Sequence, residues 1–120
     1  MTAQEIRARF PDLETVTAMF ADSNGIMRGK VLPASGLDKL MKDGVFLPAS
    51  VFGTDATGES VAETGLVWEC GDVDFPWRVI PETLFAIPDR NGRALAVRSQ
   101  MLQPEGVTPH HLDPRASLAR

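Results

Sequence analysis

Alternating apolar and polar residues near the amino terminus predict a β-hairpin. One strand is expected over residues 14–21 and its return strand over residues 26–32. The apolar residues that share one face of the first strand are Val16, Ala18 and Phe20. The residues expected to keep the other face of the return strand in solvent are Arg28 and Lys30. The Asn-Gly pair at residues 24–25 favours the positive φ values of a tight turn between the strands.

Two short helices are predicted from capping residues and apolar spacing. Thr2 and Glu5 have the spacing of a capping box at the start of an amino-terminal helix. A second helix is expected over residues 36–43, with Ser35 as its N-cap and Gly44 just past its end. Its leucines and methionine recur at i, i+3 and i+4, so one apolar stripe would pack against a sheet.

The middle of the chain gives a mixed signal. Residues 45–52 are apolar but are interrupted by Pro48, and residues 53–58 indicate a loop. Such an apolar segment before a glycine-rich loop is a candidate for contact with another domain or subunit. Residues 66–68 indicate a further short strand, and residues 71–78 an irregular connection.

A second hairpin is predicted toward the carboxyl terminus, around another Asn-Gly pair at residues 91–92. Beyond it, Asp113 followed by Pro114 has the signature of a helix start, at which the sequence stops. The succession of hairpin, helix, short strands and hairpin predicts an α+β fold, in which one helix crosses a mixed sheet. This order is compatible with a β-grasp, although the pattern alone does not distinguish it from other α+β folds.

Composition and charge narrow the possible functions. The 120 residues suit one domain. The net charge is −4 and there is no run of basic residues, which argues against nucleic-acid binding and against a basic helix on a membrane surface. The single Cys70 cannot form an internal disulfide. The chain has no apolar stretch typical of a signal peptide or a membrane span, so we expect a cytoplasmic protein.

Some polar residues suggest metal chemistry, and each has a simpler explanation. His110, His111 and Asp113 carry metal-binding side chains, but without a third His or a Cys they favour a solvated linker. Asp72 and Asp74 could bind a cation, although an Asx-type turn is favoured.

Aromatic, thiol and glycine residues give no active site either. Trp68 and Trp77 could stack on a ligand, but without interleaved cations packing is favoured. Cys70 has no neighbouring His or Lys that would activate it, and the glycines do not form a phosphate-binding loop. Composition and spacing alone therefore favour a binding or auxiliary module.

Three stretches together resemble the amino-terminal domain of the glutamine synthetase family. Residues 20–33 are similar to the family's Asp-x-x-Gly-x-x-Arg-Gly-Lys hairpin. Residues 47–55 are similar to the loop that this domain contributes to the active site. Residues 81–115 are similar to the segment that ends in the family's Asp-Pro-Arg sequence. The resemblance implies a β-grasp domain over residues 1–108, then a linker and the start of the first catalytic-domain helix over residues 109–120.

The resemblance also implies partners and cofactors. Family members form rings in which the amino-terminal domain of one subunit completes the active site of its neighbour. They use ATP and Mg²⁺ or Mn²⁺ to activate the glutamate side chain as an acyl phosphate, which an amine then attacks. On this basis the chain itself holds no cofactor, metal or catalytic residue, and its partners are the catalytic domains of the same and neighbouring subunits.

The loop over residues 47–53 departs from ordinary glutamine synthetases, in which an Asp-Gly-Ser-Ser sequence binds ammonium. Leu47 or Pro48 stands where the family has Asp, and an apolar side chain cannot stabilise a cation as a carboxylate does. The loop looks more like that of γ-glutamyl-polyamine or γ-glutamyl-amide synthetases. The substrate-binding residues implied for the neighbouring subunit are Ser50, Phe52 and Asp55. Asp55 or Glu59 could replace the missing charge, although solvated loop acids are favoured for both.

Two other interpretations stay open. The chain could be a free-standing β-grasp module that binds a partner protein by its sheet edge. It could also be a family member that kept the fold and assembly and lost the chemistry.

Overall fold

The computed structural model describes residues 1–66 and 73–119. The helices in these ranges are α1 (Ala3–Arg9), α2 (Leu37–Asp43) and α3 (Pro114–Leu118). The strands are β1 (Thr15–Ala21), β2 (Met27–Pro33), β3 (Val45–Pro48), β4 (Asp74–Ala86) and β5 (Ala94–Met101). Short 3-10 turns lie at Ala34–Gly36, Ala49–Phe52 and Ala62–Thr64.

The strands form a five-stranded mixed sheet in the order β2-β1-β5-β4-β3. The central strands β1 and β5 are parallel, with Thr15 opposite Ala94 and Met19 opposite Arg98. Because α2 connects β2 to β3, which are the two outer strands, the chain crosses the sheet through this helix. The predicted fold class is confirmed: an α+β, β-grasp-like mixed sheet with one crossing helix and a short amino-terminal helix.

The described chain forms two compact units that alternate along the sequence. The first comprises Met1–Phe20, Gly29–Val45 and Arg78–Ser99, and the second Ala21–Arg28, Phe46–Trp77 and Gln100–Arg120, without the undescribed residues. The fully buried residues of the first include Ile6, Val16, Ala18, Leu37, Leu95 and Val97. Buried residues of the second include Ala49, Phe52, Trp77, Met101, Leu102 and Ala116.

The local predictions for the first hairpin and for α1 are confirmed. Residues of β1 alternate between half-buried and buried, so the apolar face is the one predicted from the pattern. Gly25 has φ +76°, as the hairpin turn requires. The Thr2 hydroxyl accepts a hydrogen bond from the Glu5 amide at 3.2 Å and caps α1.

The start of α2 differs from the prediction. Ser35 does not cap it, because the chain enters the helix through the 3-10 turn Ala34–Gly36 and Gly36 occupies the N-cap position. The end of the helix is as predicted: Gly44 has φ +74° and its amide donates to the Leu40 carbonyl oxygen.

The largest error in the predicted elements concerns β4. An irregular connection is predicted over residues 71–78, where Pro76 lacks an amide donor for strand pairing. The strand nevertheless runs continuously over Asp74–Ala86, and the Pro76 carbonyl oxygen still accepts a hydrogen bond from the Leu102 amide at 2.9 Å. Asp74 therefore begins a strand rather than an Asx-type turn. The predictions for residues 67–68, Cys70 and Asp72 lie outside the described residues.

Gly29 in β2 lies where a side chain would collide with the neighbouring strand. A Cβ atom there would lie 2.7 Å from the Ala18 carbonyl oxygen and 2.9 Å from Thr17 Cγ2. We therefore expect Gly29→Ala to lower the free energy of unfolding by about 1–3 kcal/mol, because the backbone of β1 must shift. The measurement is urea unfolding followed by circular dichroism.

The matched control is Gly36→Ala, since the nearest atom to a Cβ at that position is 3.9 Å away. Its stability should stay within about 0.5 kcal/mol of wild type. Equal unfolding midpoints for Gly29→Ala and wild type would contradict the close approach of β1 and β2.

Among the residues that the structure describes, no helix has the length and apolar character needed to span a membrane.

Candidate functional site

The candidate loop, residues 49–60, follows β3 directly. Pro48 ends the strand, the 3-10 turn Ala49–Phe52 reverses the chain, and the Gly53 amide donates to the Ser50 carbonyl oxygen at 2.9 Å. An isolated antiparallel bridge between Thr54 and Ser60 closes the loop. Its backbone therefore has defined hydrogen bonds at its base.

Ser50 and Phe52 lie on the same 3-10 turn and have different surroundings. Ser50 is half-buried, whereas the Phe52 residue is only 8% exposed. The Phe52 ring lies 5.5 Å from the fully buried Trp77 ring, at an interplanar angle of 34°. The Trp77 Nε1 donates to the Leu47 carbonyl oxygen at 3.2 Å, so packing and a hydrogen bond both fix the turn to β4. The preference for packing at Trp77 is confirmed; Trp68 is outside the described residues.

Asp55 lies in the exposed part of the candidate loop. Its Oδ1 accepts hydrogen bonds from the Thr57 hydroxyl at 2.6 Å and from the amides of Thr57 at 2.8 Å and Glu59 at 3.1 Å. These bonds, the Thr57 hydroxyl first, lower the pKa of Asp55 below its ordinary value. The side chain is therefore a carboxylate at neutral pH, and Oδ2 takes no part in these three bonds. Glu59 is also exposed.

A buried carboxylate organises the turn between β1 and β2. Asp22 is 3% exposed, and its Oδ1 accepts from the amides of Asn24 and Ile26, each at 2.9 Å. Its Oδ2 accepts from Arg28 Nε at 2.6 Å. Burial by itself would raise the pKa of Asp22, but the hydrogen bond from Arg28 and those from the two amides outweigh it and lower the pKa.

This turn also holds the candidate loop. Arg28 Nη2 donates to the Asp55 carbonyl oxygen at 3.2 Å, and Asn24 Nδ2 donates to the Thr54 carbonyl oxygen at 3.1 Å. The expectation that Arg28 simply keeps a strand face in solvent is wrong, because its side chain is only 26% exposed and is paired. We call Asp22, Asn24 and Arg28 the turn clamp.

Sequence reasoning predicts no role for the turn clamp, although its residues fall within the Asp-x-x-Gly-x-x-Arg stretch. The available signal was the acid and the arginine six positions apart on the two sides of a hairpin turn. Their pairing becomes visible only when the turn and the candidate loop are seen together, since no sequence spacing connects residue 28 with residue 55.

Residues expected to form a solvated linker are partly buried. His110 is 4% exposed and Asp113 is 3% exposed. Asp113 caps α3 by accepting from the Arg115 amide at 2.9 Å, as predicted, and its Oδ2 accepts from the Met101 amide at 3.0 Å. The solvated-linker interpretation is therefore wrong for His110 and Asp113, because these hydrogen bonds and contacts attach the segment to the second unit. A domain boundary at residue 108 stays a prediction.

The two histidines pack as aromatic rings. His110 stacks on His111 with centroids 4.6 Å apart and meets the edge of Phe75 at 4.8 Å. Burial, and then the neighbouring His111, lower the pKa of His110, while Asp113 opposes the shift. His110 Nδ1 accepts from the Leu112 amide at 3.1 Å, which places the proton of the neutral ring on Nε2.

The buried histidine faces a cavity of about 370 Å³. The described residues that line it are Ala49, Leu66, Val73, Phe75, His110, His111 and Leu112. None of these residues carries a carboxylate. Within residues 1–66 and 73–119, no group of three or more His, Cys, Asp or Glu side chains could hold a metal ion.

Comparison with known proteins gives a consistent picture. No family model matches the chain. A stretch of 66 residues, 55% of the chain, is 46% identical to gamma-glutamylputrescine synthetase PuuA of Escherichia coli strain K12 and corresponds to 14% of that protein. The matched stretch therefore spans about a seventh of the length of this relative.

Solved structures share the fold. The chain superposes on a crystal structure of a novel glutamine synthase homolog with a TM-score of 0.73 and 18% identity, over 89% of the chain and 25% of that structure. It superposes on a complex of GmaS with ADP with a TM-score of 0.71 and 22% identity, over 99% of the chain and 24% of that structure.

The sequence match and the shared fold agree with the family that the three motif stretches suggest. They confirm the resemblance of this chain to the amino-terminal β-grasp domain of the glutamine synthetase family, with a γ-glutamylputrescine synthetase among its relatives.

Proposed function

We propose that this chain is the amino-terminal domain of an ATP-dependent glutamate–amine ligase, inactive by itself, which completes the active site of a neighbouring subunit. The observation that carries the proposal is the 46% identity with a γ-glutamylputrescine synthetase over 66 residues. The enzyme we propose is a cytoplasmic homo-oligomeric ring, in which this domain contacts the catalytic domains of its own and the adjacent subunit.

The segment over residues 47–55 supports an organic amine rather than ammonia as the nucleophile; either would bind in its ammonium form and lose a proton before it attacks. Ammonium has no apolar part, so a site for it depends on carboxylates and other oxygen atoms to stabilise its charge. Leu47 and Pro48 supply none at the position where ordinary glutamine synthetases have Asp. A protonated alkylamine needs apolar contact as well as a charge partner. Leu47 and Pro48, just before the loop, and the Asp55 carboxylate within it would supply these.

Each predicted site residue has a distinct proposed role. The Ser50 hydroxyl would hydrogen-bond the amine, and the exposed Asp55 carboxylate would attract its positive charge. Phe52 would act by shaping the turn, because its ring is packed on Trp77. We assign ATP and its divalent metal to the catalytic domain, as the resemblance to the glutamine synthetase family implies.

The test uses the protein encoded by the complete natural reading frame. Phosphate release from ATP is measured with glutamate and either putrescine or ammonium as the second substrate. We expect kcat/KM for putrescine to exceed that for ammonium by about tenfold or more, a difference of about 1.4 kcal/mol in transition-state binding. Faster turnover of ammonium than of any alkylamine would overturn the amine assignment.

Single substitutions then test the loop itself. Asp55→Asn should raise the KM for putrescine by about three- to tenfold, because it removes a charge partner that binds ground state and transition state alike. The matched control is Asp12→Asn, another exposed aspartate, whose KM should equal that of wild type. An unchanged KM for putrescine in both Asp55→Asn and Ser50→Ala would show that the candidate loop does not bind the amine.

One observation favours a second candidate, a free-standing binding module. The outer strand β2 is mostly exposed, with Met27 at 52% and Val31 at 65%, and could pair with a strand of another protein. A complete reading frame that ends near residue 120, together with binding of a partner that Val31→Lys abolishes, would favour this function. A reading frame several hundred residues longer, with a glutamate-rich metal site, would favour the ligase.

A further inference from the structure

The turn clamp makes two direct hydrogen bonds to the backbone of the candidate loop. Asn24 donates to the carbonyl oxygen of Thr54 and Arg28 to that of Asp55, two consecutive residues. Hydrogen bonds to two adjacent carbonyl groups fix the direction in which the chain leaves the 3-10 turn. The loop conformation that presents Asp55 therefore depends on residues about thirty positions earlier in the sequence.

The arginine is itself fixed by a buried partner. Asp22 Oδ2 accepts from Nε at 2.6 Å, while Oδ1 is held by the amides of Asn24 and Ile26. The guanidinium can satisfy the carboxylate with one edge and the loop carbonyl with another because its donors form a rigid planar fork. A Lys at this position carries a single ammonium on a flexible stem and cannot span both acceptors in this geometry.

Gly58 of the candidate loop lies beside the guanidinium. A Cβ atom at Gly58 would lie 3.5 Å from Arg28 Nη1, and Gly58 has φ +90°, a conformation that residues with side chains rarely adopt. The Gly58 amide also donates to the Asp55 carbonyl oxygen, the same atom that Arg28 contacts. The Asp55 carbonyl oxygen therefore accepts hydrogen bonds from both the Gly58 amide and the Arg28 guanidinium.

We infer that Arg28 is a positioning residue for amine recognition, acting through the backbone of the candidate loop. The inference rests on the proposed function, since it assigns Arg28 to the same substrate site. Arg28 orders the loop so that the Asp55 carboxylate and the Ser50 hydroxyl are presented together. Losing it should weaken amine binding and leave the chemical step, which the catalytic domain performs, nearly unchanged.

The experiment compares Arg28→Gln and Arg28→Lys with Arg7→Gln in the complete protein. Arg7 is a matched control in the other compact unit: it donates to the Asp38 carboxylate at 2.9 Å and to the Ala34 carbonyl oxygen at 3.1 Å. Hydrogen exchange over residues 54–60 measures loop order, and putrescine saturation measures amine binding.

In Arg28→Gln we expect exchange over residues 54–60 to accelerate about tenfold or more, with β1 and β5 unchanged. The KM for putrescine should rise about five- to twentyfold while kcat changes less than about twofold. Arg28→Lys should resemble Arg28→Gln in both measurements, and Arg7→Gln should resemble wild type.

Unchanged exchange over residues 54–60 in Arg28→Gln would overturn the inference whatever the enzyme does. A loss of kcat accompanied by faster exchange in β1 and β5 would also overturn it, because the effect would then be general unfolding. If the loop exchanges faster but the KM for putrescine stays unchanged in Arg28→Gln, Asp55→Asn and Ser50→Ala alike, the loop-ordering contact is upheld and the proposed function fails.

Discussion

Replacing Trp77 with alanine is expected to destabilise the protein by about 3–5 kcal/mol, more than any other single substitution we propose. The residue is fully buried, its ring packs on Phe52, and its Nε1 donates to the Leu47 carbonyl oxygen. Alanine would leave a cavity between β4 and the 3-10 turn and would remove the donor from that carbonyl group. Urea unfolding followed by far-ultraviolet circular dichroism measures the change.

Trp77→Phe separates the contribution of ring packing from that of the Nε1 hydrogen bond. Phenylalanine keeps most of the apolar volume and lacks the indole N–H, so a loss of about 1–2 kcal/mol is expected. The matched control is Phe85→Ala, on the same strand but 45% exposed, with an expected loss below about 1 kcal/mol. If Trp77→Phe and Phe85→Ala both matched wild type while Trp77→Ala unfolded, packing alone would account for the role of Trp77. A Trp77→Ala protein as stable as wild type would contradict its burial.

The second large effect is expected for Asp22→Asn, with a loss of about 2–3 kcal/mol. The asparagine oxygen can still accept from the amides of Asn24 and Ile26. Its Nδ2 group would face Arg28 Nε, so that two donors oppose each other and the guanidinium loses its anion. Because the Arg28 side chain is 26% exposed, the expected loss is smaller than for a fully buried ion pair.

The difference in stability between wild type and Asp22→Asn should decrease as the pH falls. Because the pKa of Asp22 is lowered in the folded protein, its carboxylate stabilises the fold above the unfolded-state pKa of roughly 4. This stabilisation should disappear as the pH falls through the lower folded-state value. Unfolding midpoints of wild type and Asp22→Asn should therefore differ at neutral pH and converge in acid. A difference that grows with increasing acidity would contradict an ionised Asp22.

The control for Asp22→Asn is Asp38→Asn. Asp38 also pairs with an arginine, at 2.9 Å, but its side chain is 74% exposed. Solvent screens such a pair, so the expected loss is within about 0.5 kcal/mol. A similar large loss in both variants would mean that burial does not distinguish the two ion pairs.

The hydrogen bonds of the turn clamp give the Asp-x-x-Gly-x-x-Arg stretch a structural role that the family resemblance by itself does not explain. The three residues of the turn clamp form a small hydrogen-bonded base on which the loop with Ser50, Phe52 and Asp55 is held. In the enzyme proposed above, a change at Leu47 or Pro48 would alter amine selectivity while these supporting contacts stay the same.

Much of the fold follows from local pattern. Alternation in β1 predicts its buried face, and the Asn-Gly pairs mark both hairpins, where Gly25 and Gly92 have positive φ. The caps at Thr2 and Asp113 also follow from short spacings, because a helix amide and its capping oxygen lie within three residues of each other. These features depend on neighbours in sequence, and a single sequence contains that information.

Features that depend on residues distant in the sequence could not be predicted from local pattern. An irregular connection is predicted over residues 71–78, but pairing of β4 within the sheet keeps the strand continuous over Asp74–Ala86. Likewise His110 and Asp113 look like polar linker residues until their contacts with Phe75 and the Met101 amide are seen. In each case contacts with residues distant in sequence decide a structure that local reasoning does not predict.

The α+β class and the two hairpins could be derived from the amino-acid sequence, since they depend on side-chain periodicity and turn residues. The departure at residues 47–48 from an ammonium-binding loop is instead what the family resemblance implies. How the loop is held depends instead on tertiary contacts. The bond from Arg28 to Asp55 joins residues far apart in the chain, and it exists because Asp22 is buried and keeps its charge through hydrogen bonds. Burial of a charge and the partners that satisfy it are properties of the packed molecule, so no spacing along the chain could reveal them.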